Sequence, residues 1–304
     1  MKRMKTPHLF LLLCIVLSMV FLVGGCGDKP DGPKPTSAVY KDVLGREVEI
    51  AGIPEKVVSL TPAVTEVLFA LGLDDQIVGV TEYCNYPEAA LAKPKMGDFS
   101  NPNVELVLES DADLVFVAAG VQMDLIERFE ELGVKVLCLD AETINQVIAN
   151  INLVGEIMGV SEKAAEITAD MQNRTDYIVK KVEGREKPLV FFEVWDDPLM
   201  TAGPGTFIYN LIELAGGINT AYDVNTRYPQ FSFEVLLERD PDVYFANDFH
   251  KQSDIMARPG YTQLKAVKTG RVHTIDDDLV TLPGPRVVLG LEEMARLIHP
   301  EVFN

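Results

Sequence analysis

The chain has 304 residues, with 46 Asp and Glu against 27 Lys and Arg and a net charge of −19 at pH 7. So acidic a chain gains no affinity from phosphate backbones or anionic lipid, which excludes nucleic-acid binding and charge-driven membrane adhesion. The length allows two cores of ordinary domain size.

Lys2, Arg3 and Lys5 precede an apolar run from Leu9 to Val23 broken only by Ser18, and Val23-Gly24-Gly25-Cys26 follows at once. The run is short for a membrane span and right for a signal peptide. Its last four residues resemble a bacterial lipobox, so residues 1–25 are predicted to leave and Cys26 to become an acylated first residue. The leader takes only basic charge with it, so the acyl chains must do the anchoring. Residues 26–39, rich in Gly, Pro, Lys and Asp, read as a flexible tether. Cys84 and Cys138 then remain; in an oxidising exterior they can pair, but their spacing does not require it.

From residue 40 the pattern is α/β. A hairpin over Tyr40–Ile50 turns at Leu44-Gly45, Lys56–Leu60 is a buried strand, and Ala63–Leu71 is a helix stopped by Gly72. Strand Gln76–Val80, an irregular Pro-bearing segment Tyr83–Pro94, helix Asn103–Glu109, strand Asp113–Val117, helix Asp124–Leu132 and strand Val134–Leu139 follow. Ser161 to Glu183 carries apolar residues at Ala164, Ile167, Met171, Ile178 and Val182, with Ser161 as N-cap and Gly184 as stop. At 1.5 Å per residue this helix spans roughly 33 Å. Alternation then resumes with strand Leu189–Val194, helix Thr206–Ala215, strands Asp242–Ala246 and Val272–Ile275, and a closing helix Arg286–Ile298. Residues 104–113 lie over 233–242 at one offset, where Glu105/Glu234, Leu108/Leu237, Glu109/Glu238, Asp111/Asp240 and Asp113/Asp242 coincide. The expected fold is therefore α/β: two pseudo-twofold-related lobes (40–160 and 185–304) with parallel-rich central sheets. One long rigid helix over 161–184 joins them, and the ligand cleft lies between them.

Catalytic signatures are sparse. No G-x-S-x-G, H-E-x-x-H or G-x-x-x-x-G-K occurs. His250, His273 and His299 stand apart without the clustering of a zinc site. His273 reads as a strand core residue, His299 as a solvated helix end, and His250 as a surface residue in a strand-end loop. An exported α/β hydrolase, the out-of-class alternative, would need a nucleophile–base pair that the sequence does not offer.

Ser59-Leu60-Thr61-Pro62-Ala63-Val64-Thr65-Glu66, with Leu71-Gly72 beyond it, resembles the substrate-binding proteins of ABC importers for cobalamin, haem and ferric siderophores. Tyr83-Cys84-Asn85-Tyr86-Pro87, Gly97-Asp98-Phe99, Ala215-Gly216-Gly217 and Gly284-Pro285-Arg286 extend the likeness over essentially the whole exported chain. It implies two lobes bridged by one stiff helix, with no catalysis and no cofactor. The cargo it implies is a cobalt corrinoid passed to an ABC permease by a membrane-anchored monomer. The likeness is closest to the cobalamin-binding members, which places Tyr83, Phe99, Met200, Tyr228 and Asp278 on the cleft. Phe99 and Tyr228 replace the usual tryptophans and Ala118 replaces an aromatic, while Trp195 is a further wall candidate. Glu105 and Glu234 match the glutamates that dock the family onto its permease; Glu66 is a weaker candidate. Haem or a ferric siderophore is the alternative cargo. Haem would recruit His250 as an axial ligand, or a tyrosine, and an anionic siderophore would draw on Arg227, Arg258 or Arg286.

Overall fold

The structure, a computed structural model, describes residues 37–303. The expected leader, Cys26 and most of the tether lie outside the described residues. The hairpin of β1 (Ser37–Lys41) and β2 (Glu47–Ala51) closes on Gly45 with φ 78°. Asp42 holds it in place: its Oδ1 accepts the N–H groups of Leu44 and Arg46, and its Oδ2 that of Cys138.

The first sheet comes from β3 (Val57–Ser59), β4 (Ile77–Val80), β5 (Leu114–Ala118) and β6 (Val136–Leu139), in the order β4-β3-β5-β6 and parallel throughout. Helices α1 (Pro62–Ala70), α2 (Val104–Glu109) and α3 (Met123–Glu131) form the crossovers. Parallel strands covered on both faces need unbroken apolar runs, which Leu-Val-Phe-Val at 114–117 supplies. Helix α4 (Ile144–Ile157) is not among the elements read from the sequence. Its capping box, Thr143 with Gln146, and its buried stripe Ile144, Val147, Ile151, Val154 were the signals that mark it.

Helix α5 (Ser161–Val182) is the expected long helix, but its N-cap is Val160 and Ser161 is already helical without a capping bond. Gly159, at φ 71°, makes the reversal from α4. A Cβ on Gly155 would stand 2.4 Å from that of Ala164, so glycine is what lets α4 and α5 approach so closely.

The second sheet has the order β11-β10-β7-β8. It contains β7 (Leu189–Asp196), the antiparallel β8 (Leu199–Thr201), β9 (Ile218–Asn219, also on β7), β10 (Val243–Asn247) and β11 (Val272–Ile275). Around it lie α6 (Phe207–Leu214), α7 (Phe233–Arg239), α8 (Gln252–Met256), α9 (Lys265–Lys268), α10 (Asp277–Thr281) and α11 (Val287–Ile298). The sequence repeat is structural. Among the described residues Asp111 (φ 53°) and Asp240 (φ 44°) alone place a non-glycine in the left-handed region, each just after its copy of the repeated helix. Asn103 and Ser232 cap α2 and α7. Asp113 accepts the N–H of Lys56, and Asp242 that of Leu189, so each copy pins the start of the neighbouring strand.

From Ala38 onward the chain forms one compact unit, joined by more than a single rod. One apolar cluster runs from Val57 and Leu139 through Ala164, Met171 and Ile178 of α5 to Phe245 and Met294. Arg174 grips Glu292 with two bonds of 2.7 and 2.9 Å. Across the halves Arg286 grips Glu66 at 3.0 and 2.6 Å. His299 is buried against the Gly216 carbonyl, not solvated, because the last helix ends beneath the Ala215-Gly216 turn.

Candidate functional site

A cavity of about 730 Å³ opens where the strands of both sheets end, the crevice in which open α/β sheets accept ligands. The first half contributes Pro62, Val64 and Val67 of α1, Ala118, Leu139 and Asp140 at strand ends, and Val154 of α4. Tyr83 and Phe99 stand on loops beside them. The second half contributes Asp248 and Phe249 after β10, and Asp276, Asp277 and Asp278 after β11.

The turn into α1 is built by its own side chains. Pro62 opens the helix, where its missing N–H costs nothing. Ser59 Oγ donates to the Thr61 carbonyl, and Thr65 Oγ1 lies 2.9 Å from Ser59 Oγ and 3.1 Å from Cys84 Sγ. The thiol of Cys84 thus ties the Tyr83 loop to α1. Cys84 and Cys138 are both buried and free, and burial pushes the Cys138 thiol up to about 11.

Gln122, fully buried, fixes three loops at once. Its Oε1 accepts the N–H of Ala118 at 2.8 Å; its Nε2 donates to the carbonyls of Leu60 (2.8 Å) and Phe99 (2.7 Å). In the second half the same task falls to Glu193 of β7, 1% exposed. Its carboxylate accepts two bonds from Arg258, at 2.5 and 2.9 Å, and one from the Tyr244 hydroxyl. Burial first, then the Glu193 charge, push the Tyr244 phenol well up. His250 Nε2 lies 3.6 Å from Glu193 Oε1, and the residue is absent from the cavity lining. His250 thus stands beside a buried carboxylate and off the cavity lining.

Of the six expected ligand residues, Tyr83, Phe99 and Asp278 line the cavity. Trp195, Met200 and Tyr228 do not. Strand β7 runs on to Asp196, and its pairing with β8 sets Trp195 opposite Met200 beyond the cavity. The Trp195 indole donates to the Asp197 carbonyl, and its ring and that of Tyr228 are exposed. The sequence reading missed Phe249, 77% exposed yet on the lining, and four of the five aspartates. Their position directly after strands was the available signal.

Every charged side chain on the lining is an aspartate. Burial raises Asp140 above the ordinary carboxylate range, the Ala141 N–H offsetting part of it. Burial and then the neighbouring acids raise Asp277, against the Thr281 bond. Arg286 approaches Asp278 at 3.6 Å, but its two short bonds go to Glu66 and its guanidinium lies 3.8 Å from the Tyr86 ring centre. Burial pushes the Glu66 carboxyl up, and Arg286 pulls it back only part of the way. Glu66 is thus an interlobe clamp and is removed from the docking candidates. Glu105 and Glu234 sit exposed in the first turns of α2 and α7. Hydrogen bonds from its own backbone and from Ser232 hold Glu234 below the usual range. Among the described residues no acids, histidines or cysteines group as a metal site, and no helix is long and apolar enough to cross a membrane.

The family profile described as periplasmic binding protein matches residues 57–279. The ABC transporter substrate-binding lipoprotein YvrC of Bacillus subtilis is 33% identical over 306 residues, covering 95% of this chain and 96% of that one. A cobalamin-binding protein of Halobacterium salinarum is 32% identical over 271 residues, covering 85% and 73%. The crystal structure of the periplasmic vitamin B12 binding protein BtuF of Vibrio cholerae superposes with a TM-score of 0.75 at 25% identity, over 81% of this chain and 97% of that one.

Proposed function

The chain belongs to the periplasmic binding protein family and is the extracytoplasmic substrate-binding component of an ABC importer; from that premise we propose that its cargo is a corrinoid. Family membership also sets the exported hydrolase aside, because these proteins capture solutes and catalyse nothing.

One observation carries the choice of cargo: the cavity joins apolar and aromatic walls to carboxylates and, among the described residues, has no cation on its lining. A corrin is a broad disc fringed with amides. Its faces are buried by Tyr83, Phe99 and Phe249, and its amide N–H groups are received by Asp278 and the neighbouring acids. Haem and ferric siderophores bring carboxylates or other anions, which such a lining repels. The named cargo of the Halobacterium salinarum relative agrees with this reading. Trp195, Met200 and Tyr228 then form an outer rim that a bulky lower ligand reaches.

Glu105 and Glu234, one per half at equivalent turns, dock the loaded protein on arginines of the permease. Two separated carboxylates set both register and orientation. Cys26 carries the lipid anchor.

The test is a titration of the chain carrying Cys26→Ser, followed by absorption, with cyanocobalamin, haemin and a ferric siderophore. Cyanocobalamin is expected to bind, and exclusive binding of haemin contradicts the corrinoid choice. Charge reversal at Glu105 together with Glu234 is expected to abolish uptake by cells and spare affinity. A loss of affinity would put those two residues in the cleft.

A further inference from the structure

We infer that the cleft selects its corrinoid by charge, favouring cationic corrinoids that lack the nucleotide-loop phosphate over complete ones that carry it. This rests on the corrinoid reading and adds to it the class of corrinoid taken.

Asp140 comes from the first half, and Asp248, Asp276, Asp277 and Asp278 come from the second, so the acids face the cavity from both sides. They are not arranged to hold a metal among the described residues. Two cations stand near them: Arg286 gives its two short bonds to Glu66 and also lies 3.6 Å from Asp278, and Arg227 pairs with Glu142 at 2.7 Å. Several of the acids also accept local N–H or O–H groups, Asp140 from Ala141, Asp248 from Asp277, and Asp276 from Asp278. These neutral bonds leave the negative charge in place. At the end of β10, one residue before Asp248, the Oδ1 of Asn247 is buried without a hydrogen-bond partner. Asn247 is not itself on the lining; the ionised aspartates that are can only accept, so what complements them is a donor or a positive charge.

A corrin with one cyanide and one water on cobalt(III) is a monocation. In a complete corrinoid a phosphodiester of the nucleotide loop cancels that charge and adds an anionic group near the ring edge. Inside a cleft with low-dielectric walls, like charges lose the screening that water gives them. The carboxylates thus attract the first ligand and oppose the phosphate of the second.

The test compares aquacyanocobinamide with cyanocobalamin on the full chain carrying Cys26→Ser, by calorimetric titration in low salt and in about 0.5 M salt, where the screening length falls to a few ångströms. The ratio of the two affinities is expected to be about tenfold larger in favour of the cobinamide at low salt than at high salt, equivalent to about 1.4 kcal/mol. Asp248→Asn with Asp277→Asn, changes that keep shape and remove charge, should bring the low-salt ratio to the high-salt value. A ratio unmoved by salt and by the substitutions overturns charge selection while leaving corrinoid capture intact. Binding of neither corrinoid, with haemin bound instead, overturns both.

Discussion

The two halves of this molecule share a skeleton and differ in how they hold and charge the cleft. Each places a capped helix, a left-handed aspartate and an anchoring aspartate before a buried strand, at Asn103–Asp113 and Ser232–Asp242. Behind the cleft, the first half ties its loops with one neutral amide, Gln122, and the second with the charged group Glu193, Arg258, Tyr244 and His250. Toward the cleft, the first half is mostly apolar with one aspartate, and the second carries four. The repeated framework makes the crevice; the loops beyond each strand decide what enters it.

That contrast is open to direct attack. Arg258→Met leaves the Glu193 carboxylate buried without its ionic partner, which costs about 3–5 kcal/mol in a urea unfolding curve. Adding Glu193→Leu to it should recover most of the loss, since the uncompensated charge is gone. No recovery would mean that packing, and not charge, fixes the second half. Gln122→Ala is the counterpart in the first half. It strands the carbonyls of Leu60 and Phe99 and the N–H of Ala118, at a cost of about 2–3 kcal/mol, and should weaken corrinoid binding by releasing Phe99. Unchanged affinity would show that Phe99 needs no such support.

The smallest effect concerns pH. Asp140 and Asp277, one from each half, titrate higher in the folded chain than in the unfolded one because burial penalises their charge. The folded state therefore takes up these protons first as pH falls. Asp140→Asn with Asp277→Asn should raise the melting temperature at neutral pH by roughly 1–2 °C. The wild type gains on the variant as pH falls through the raised values, and the gap closes below about pH 4. A gap that persists at low pH would assign the gain to packing.

The framework was legible in the sequence because local chemistry and burial agree there. Apolar runs mark the strands, Gly72 and Gly184 stop helices at positive φ, and the matched aspartates betray the repeat. Helix α4 lies outside the elements read from the sequence, although Thr143 and Gln146 announce it. The site was less legible. Trp195 and Met200 look like walls until pairing with β8 shows where the hairpin carries them. Gln122 gives no periodic signal; its value lies in bonds to residues far apart in the chain. Glu66 and His250 read as surface groups because their partners, Arg286 and Glu193, are fixed only by tertiary contact.

A crystal structure of the chain carrying Cys26→Ser with cyanocobalamin bound shows directly where the cargo sits. The corrin ring is expected between Tyr83 and Phe99 on one side and Phe249 on the other, with ring amides donating to Asp278 and its neighbours. A corrin resting on Trp195 and Tyr228 with the cavity empty would contradict that placement.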